Sequence, residues 1–225
     1  GFTISRWGFN LELKESLLLG LAAAFGNTLL FVLPIALALF GDGATLPIVA
    51  IIAFDSILIF GGTIIIIEAL SADNFSYSGL CKDILLNPPL ASMLLGIFFV
   101  ILSIDIPHGL NVFLKFVGNI AAPCSLFSLG IILSKTRLSE QVSPALSISV
   151  LKLLVYPILA WIVLLEIFGF TLMQAKTSMM VAAAPCGTMA FVLALNYHVR
   201  CSIIASAILL TTIGSLVSVT LVAAW

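Results

Sequence analysis

L-A-A-A-F-G-N-T-L-L-F-V-L at residues 21–33 returns 160 positions later as V-A-A-A-P-C-G-T-M-A-F-V-L at residues 181–193. Seven of the thirteen positions are identical: three alanines, then Thr, Phe, Val and Leu. Each copy places helix-weakening residues inside a long apolar run, Gly26, Asn27 and Pro34 in the first and Pro185 and Gly187 in the second. An interior proline removes one hydrogen bond and clashes with a carbonyl one turn back, at a cost of about 3 kcal/mol. In lipid an unpaired backbone group costs several kcal/mol more, so a break survives only where protein or a water-filled cavity covers it. Interrupted segments at matching places in two halves are the sequence mark of a secondary transporter's binding site. Two breaks that meet would leave amides and carbonyls facing a common space, where half-helix N-termini favour an anion. Asn27, Thr28 and Thr188 add neutral donors and acceptors there. Proline kinks packed on small residues explain one such copy. They do not explain two copies at matching positions.

Composition makes lipid the solvent. The chain has 225 residues, of which 62% are hydrophobic and 8% charged, against about 25% charged in an ordinary soluble domain. A net charge of -1 gives no basic surface and no reason to expect nucleic acid. A bilayer core of about 30 Å needs about 20 apolar residues. Seven runs qualify, at 15–40, 46–70, 86–105, 109–134, 143–168, 171–195 and 200–224. None alternates in polarity as a membrane strand would, so the chain is predicted to be an all-α membrane protein with seven transmembrane helices.

Basic residues give the direction. With seven crossings, Arg6, Lys14, Lys82, Lys135, Arg137 and Arg200 share one side, and Lys176 lies on the other, joined by Lys115 if that residue is near its helix end. The first side is predicted to be cytoplasmic, with the C-terminus outside. The two repeat copies then run antiparallel, as an inverted repeat demands. The polar connection 71–85 divides the chain into residues 1–70, holding two spans, and residues 86–225, holding five. Equal halves require three more helices upstream of residue 1. The opening residues 1–16 read as an interhelical loop.

Ionisable residues inside spans are rare and usually face an interior or a pathway. Asp55 lies about ten residues into the second run and Lys152 about ten into the fifth. Asp55 is expected to hold a proton or a coupling cation. Lys152 is expected to attract an anionic substrate, to pair with Asp55, or to snorkel to the interface along its apolar stem. His108 and His198 are far apart, and Cys81, Cys124, Cys186 and Cys201 show no C-x-x-C spacing. No metal site and no cofactor are therefore expected. No Ser-His-Asp pattern, Walker motif or Rossmann fingerprint occurs, so the chain does not read as an enzyme.

Several stretches are similar to one known family. F-G-N-T-L-L-F-V-L-P-I-A-L-A-L-F-G at 25–41 resembles the fourth helix of the auxin efflux carrier family, which includes bacterial malonate-transporter-like permeases. N-P-P-L-A-S-M-L-L-G at 87–96 resembles its sixth, A-A-P-C-S-L-F-S-L-G at 121–130 its seventh, and L-K-L-L-V-Y-P at 151–157 its eighth. A-A-A-P-C-G-T-M-A-F-V-L-A-L-N-Y at 182–197 resembles its ninth. The resemblance implies helices four to ten of a ten-helix fold made of two inverted five-helix repeats. Two broken helices would cross at the substrate site, in a transport domain that moves against a scaffold. Carried over by motif, Asn27, Thr28 and Pro34 form one side of that site and Pro185, Cys186, Gly187 and Thr188 the other, with Lys152 from the eighth helix. Leu29, where the family often has Gly, and Cys186, where a small polar residue is usual, depart from the pattern and leave the substrate's identity open.

The expected function is a secondary transporter of the cell (inner) membrane, moving a small organic anion such as a carboxylate or an auxin-like acid by alternating access. Its partners would be the bilayer, the anion and a proton or cation, with a homodimer left open. Two other classes compete. A truncated, non-transporting scaffold or relic would share this sequence. A seven-helix receptor or photoreceptor would need the opposite orientation, and for retinal a buried lysine in the last helix, which 201–224 lacks.

Overall fold

The computed structural model describes residues 1–71, 88–135 and 142–224. The expected connection at 71–85, together with Lys82 and Arg137 from the charge count, lies almost wholly outside the described residues. Among the described residues every regular element is helical, and one isolated antiparallel bridge, Gly26 to Cys186, is the sole β-type pairing.

The helices follow the apolar runs. α1 (Leu13–Ala24) ends at an unwound stretch, and the chain resumes as a π turn, Thr28–Val32, leading into α2 (Leu33–Phe40). α3 (Thr45–Phe54), a π turn Asp55–Phe60 and α4 (Gly61–Ser71) form one continuous rod. α5 covers Pro88–Ile101 and α6 covers His108–Lys135. α7 (Val142–Val150) and α8 (Tyr156–Trp161) are joined by a π turn at Leu151–Val155 and followed by another at Ile162–Ile167. α9 (Leu172–Ala182) stops before the second unwound stretch, α10 (Met189–Asn196) follows it, and α11 (Ser202–Ala223) closes the chain. The run expected at 86–105 is helical only to Ile101, and the opening residues, expected as a loop, contain a short π turn at Ile4–Gly8.

Three helical stretches are individually long and apolar enough to cross a membrane: Leu46–Leu70, Val142–Ile167 and Ser202–Ala223. Large apolar side chains such as Leu46, Phe54, Ile158 and Leu216 stay exposed on them. That pattern suits helices solvated by lipid.

Local chemistry sets the ends. Thr171 and Gln174 form a reciprocal capping box at the start of α9, which satisfies two orphan donors. Gly169, at φ 66°, ends the preceding helix, with the Phe170 amide donating back to Leu164 O at 3.0 Å. His198 takes the same left-handed role after α10, at φ 54°, while the Val199 amide reaches Ala194 O at 2.8 Å. Such back-bonded ends satisfy the last carbonyls of a helix.

Two apolar cores lie on either side of the unwound stretches. One joins α1 (Leu18, Ala22) to α10 (Ala190, Leu193), with Ile64 of α4, Ile148 of α7 and Ile204 of α11. The other joins the continuation of the first segment (Val32, Ala36) to α9 (Met179, Met180), with Ile48 of α3 and Val219 of α11. Each core therefore holds one half of each interrupted helix. The first core is also tied by polar contacts. The Tyr197 hydroxyl donates to Glu68 Oε2 at 2.9 Å. Arg200, in the link from α10 to α11, contacts Glu15 Oε2 at 3.0 Å and Glu12 Oε1 at 3.8 Å.

The Glu15 side chain is 1% exposed and its Oε1 has no partner, whereas the Arg200 side chain is 61% exposed. Removing the arginine strands a buried carboxylate, at about 1–3 kcal/mol, whereas removing the carboxylate leaves a cation that water can reach. Thermal unfolding in detergent should therefore show a larger loss for Arg200→Gln than for Glu15→Gln.

Candidate functional site

The two interruptions meet. Asn27 N donates to Pro185 O at 2.9 Å and Gly187 N donates to Phe25 O at 2.7 Å, around the Gly26–Cys186 bridge. Each break thus satisfies backbone groups that the other has lost, in the manner of a one-rung antiparallel ladder. Close approach makes one residue type obligatory here. A β-carbon on Gly187 would stand 2.5 Å from Phe25 Cδ1 and 2.8 Å from Phe25 O, so only glycine fits.

Two further polar groups of the second break are taken up by α11. Cys186 N donates to Thr211 Oγ1 at 3.1 Å, and Thr211 in turn donates to Ala207 O at 2.7 Å. Ser218 Oγ donates to Ala183 O at 2.9 Å. Pro185 suits its place: it has no amide to satisfy, and its carbonyl is held by Asn27. Thr211 and Ser218 went unnoticed in the sequence. The signal present was a set of small polar residues at helical spacing in the last run, a pattern that also fits plain helix packing.

In the first segment the break lies at Phe25–Asn27, not at Pro34. Asn27 is 5% exposed, and its carbonyl accepts from Phe31 N at 3.1 Å and Val32 N at 3.4 Å. The second of these is the wider π spacing. It loosens the turn just ahead of Pro34, whose ring would otherwise press on the Leu30 carbonyl. Pro34 itself is exposed and stands off the crossing. Thr28 is 3% exposed. Thr188 is half-buried at the start of α10, where its carbonyl accepts from Phe191 N and Val192 N.

Lys152 comes to the crossing from the π turn after α7. Its side chain is wholly buried. Nζ donates to Ala24 O, at the C-terminal end of α1, over a long 3.5 Å, and lies 4.4 Å from the centre of the Tyr156 ring. The snorkelling alternative is thereby excluded, because the ammonium points inward to the end of a helix whose carbonyls attract a cation. Direct pairing with Asp55 is absent as well. Asp55 is half-buried at the head of its own π turn, and no ion pair within 4.0 Å joins it to Lys152 among the described residues. Thr28, Asp55 and Lys152 thus all stand on π turns. These local widenings concentrate at functional sites, and the apolar periodicity gave no sign of them.

A groove of about 250 Å³ between α2 and α11, lined by residues such as Phe31, Ile35, Ser215 and Val219, contains no charged residue and none of the expected site residues. The expected site residues Asn27, Cys186, Gly187 and Lys152 instead gather at the crossing.

Comparison with known proteins gives the family. The model of the family described as membrane transport protein matches residues 75–223. This chain belongs to that family, the auxin efflux carrier family of permeases. A Rhizobium meliloti protein named "Putative malonate transporter" is 26% identical over 210 residues, which are 92% of this chain and 66% of the relative. A Methanothermobacter thermautotrophicus protein named "Uncharacterized transporter" is 30% identical over 145 residues, 64% of this chain and 47% of the relative. The chain thus aligns with 66% of the length of the first of these relatives and 47% of the second. As a member of a transporter family it is a membrane protein and not an enzyme.

Holding the crossing together should be measurable apart from transport. Thr211→Val keeps the shape of the side chain but leaves Cys186 N unpaired, at a cost of about 1–3 kcal/mol. The unfolding midpoint of the purified protein should fall, and Thr211→Ser should recover most of the loss.

Proposed function

We propose that the protein is a secondary carrier that moves a small carboxylate, malonate or a near relative, by alternating access at the crossing of its two interrupted helices. The carrying observation is Lys152, a wholly buried ammonium with one long hydrogen bond and no carboxylate within 4.0 Å among the described residues. A cation is costly at such depth unless a counter-charge visits it. Half-helix N-termini at the same place add to the positive potential. The name of the Rhizobium meliloti relative supports a dicarboxylate.

On this reading the chain provides helices four to ten of a ten-helix carrier. The interrupted segments 13–40 and 172–196 thread the cell (inner) membrane in opposite directions as parts of an inverted repeat, and the end of α11 lies outside. Asn27, Thr28, Thr188 and Lys152 face the anion. Pro185, Cys186 and Gly187 hold the crossing open by what their backbones bond, and Pro34 shapes the helix that follows. Asp55, a half-buried carboxylate within the rod of α3 and α4, carries a proton that is coupled to the anion's movement.

Uptake of radiolabelled malonate into proteoliposomes, by the protein in its full encoded length, tests the reading. Lys152→Gln and Asn27→Ala should each lower the rate at least about tenfold, since a hydrogen bond to a charged group is worth about 1.5–3 kcal/mol. Wild-type rates in both variants, with normal insertion, would remove the site. Asp55→Asn should keep malonate counterflow but lose the stimulation given by an imposed proton gradient. Equal stimulation in the variant would exclude Asp55 from coupling.

A further inference from the structure

The end of α1 remote from the breaks carries the most deeply buried acid among the described residues. Glu15 lies in the first turn of that helix, and Leu11, Leu18 and Leu19 are buried with it. Its two oxygens are treated differently. Oε2 accepts from Arg200 Nη2 at 3.0 Å, whereas Oε1 has no hydrogen-bond partner among the described residues. The same Arg200 nitrogen lies 3.8 Å from Oε1 of Glu12, an exposed carboxylate three positions earlier on the same face of the helix. One guanidinium thus stands between two carboxylates, one inside the protein and one at its surface.

Few other titratable groups belong to the elements packed against α1. In the opening π turn, Arg6 gives Nη1 to Leu11 O at 2.6 Å, and the Gly1 backbone lies further along α1 against Gly20. Glu68 of α4 accepts from the Tyr197 hydroxyl at 2.9 Å. The link from α10 to α11 brings His198, at φ 54°, and Cys201 beside Arg200. α7 and α11 bring none. Asp55 and Lys152 stand on π turns, and the Lys152 bond to Ala24 O places it at the opposite end of α1. Lys14 is adjacent to Glu15 in sequence and so points to another side of the helix.

We propose that Glu15 is a proton-binding site, and that its proton hands Arg200 over from the buried carboxylate to Glu12 at the surface. A proton on Oε1 displaces no hydrogen bond, because that oxygen has none. It also removes a buried charge that a single donor satisfies at one oxygen only. Glu12 stays ionised and holds the guanidinium better than a neutral carboxyl can. The proton comes from the water at this end of the helix, and no other bond changes. The part released is the link between α10 and α11. Because α10 begins at the second break, the state of Glu15 sets how firmly that half of the interrupted helix is held against α1. On the carrier reading the water concerned is cytoplasmic, but the site exists without that reading.

Infrared difference spectroscopy and hydrogen exchange on the purified protein, in its full encoded length, test this. Between about pH 8 and about pH 5, a range that reaches ordinary histidine and perturbed carboxyl titrations, wild type should gain the carbonyl band of a protonated carboxyl, and Glu15→Gln should lack it. Over the same range the amides of residues 197–199, which close the end of α10, should lose about tenfold or more of their protection, after correction for the intrinsic effect of pH. In Glu15→Gln their protection should be low throughout. Glu12→Gln should move the midpoint to lower pH, because it removes a negative neighbour and leaves Arg200 to Glu15 alone, and both changes favour the ionised form. His198→Asn, which tolerates the left-handed turn, should leave the midpoint unmoved. Absence of a Glu15-dependent band overturns the proton site, and a band without loss of protection overturns the handover. A midpoint indifferent to Glu12→Gln, or lost with His198→Asn, overturns it as well. If Glu15→Gln fails to fold, the Glu12→Gln shift decides alone. None of these measurements involves malonate, so failure here leaves the carrier reading standing.

Discussion

Satisfaction of the backbone at a break in a membrane helix is the constraint on which this structure depends. Phe25–Asn27 and the stretch around Cys186 lie outside any helix, in a chain whose other elements are apolar rods. Lipid offers these groups nothing, and each one left bare would cost several kcal/mol. They are satisfied by one another, through Asn27 N to Pro185 O and Gly187 N to Phe25 O, and by Thr211 and Ser218 of α11. Neither interruption could persist without the other. That mutual dependence explains why the two apolar cores are built as they are, each from one half of both interrupted helices. The crossing is the seam between them.

A seam of this kind is also where a charge can be kept. Lys152 reaches the end of α1 and lies over the Tyr156 ring, so a helix terminus and an aromatic face temper its burial. Neither neutralises it. Asp55 makes no ion pair with it among the described residues. A fixed positive site that lacks a contacting counter-ion differs from an ion pair such as Arg200–Glu15, where a carboxylate 1% exposed is matched at 3.0 Å. The same chain thus shows both uses of buried charge, one paired and one left open.

How much of this was readable from the residues depends on what each feature requires. The helices follow from runs of apolar residues too long for anything but membrane rods, and the interruptions follow from Gly26, Asn27, Pro185 and Gly187, whose chemistry opposes a helix whatever surrounds it. Pro34 misleads on the same logic. A π turn before it absorbs the clash, so the chain stays helical and the proline remains at the surface. The π turns that carry Thr28, Asp55 and Lys152 leave no periodic trace, because one extra residue per turn merely shifts an apolar pattern that is apolar on all sides. Thr211 and Ser218 are equally silent in sequence. Their role depends on which segment α11 packs against, and that is a property of the tertiary fold.

The difference between the breaks has a physical origin in proline. Pro185 has no amide, so the second stretch has one donor fewer to satisfy, and four of its other groups are met by two hydroxyls of α11 and by the Asn27 amide and Phe25 carbonyl of the first break. The first stretch has Gly26 and Asn27 in the corresponding region, both with amides, and a threonine whose hydroxyl finds no acceptor. At the second break these groups are paired by protein, whereas at the first the Thr28 hydroxyl has no partner among the described residues. Two copies of one motif therefore end differently: the copy with proline at the turn is met by hydroxyls of α11 and by the first break, and the copy with asparagine keeps a buried threonine hydroxyl without a partner among the described residues.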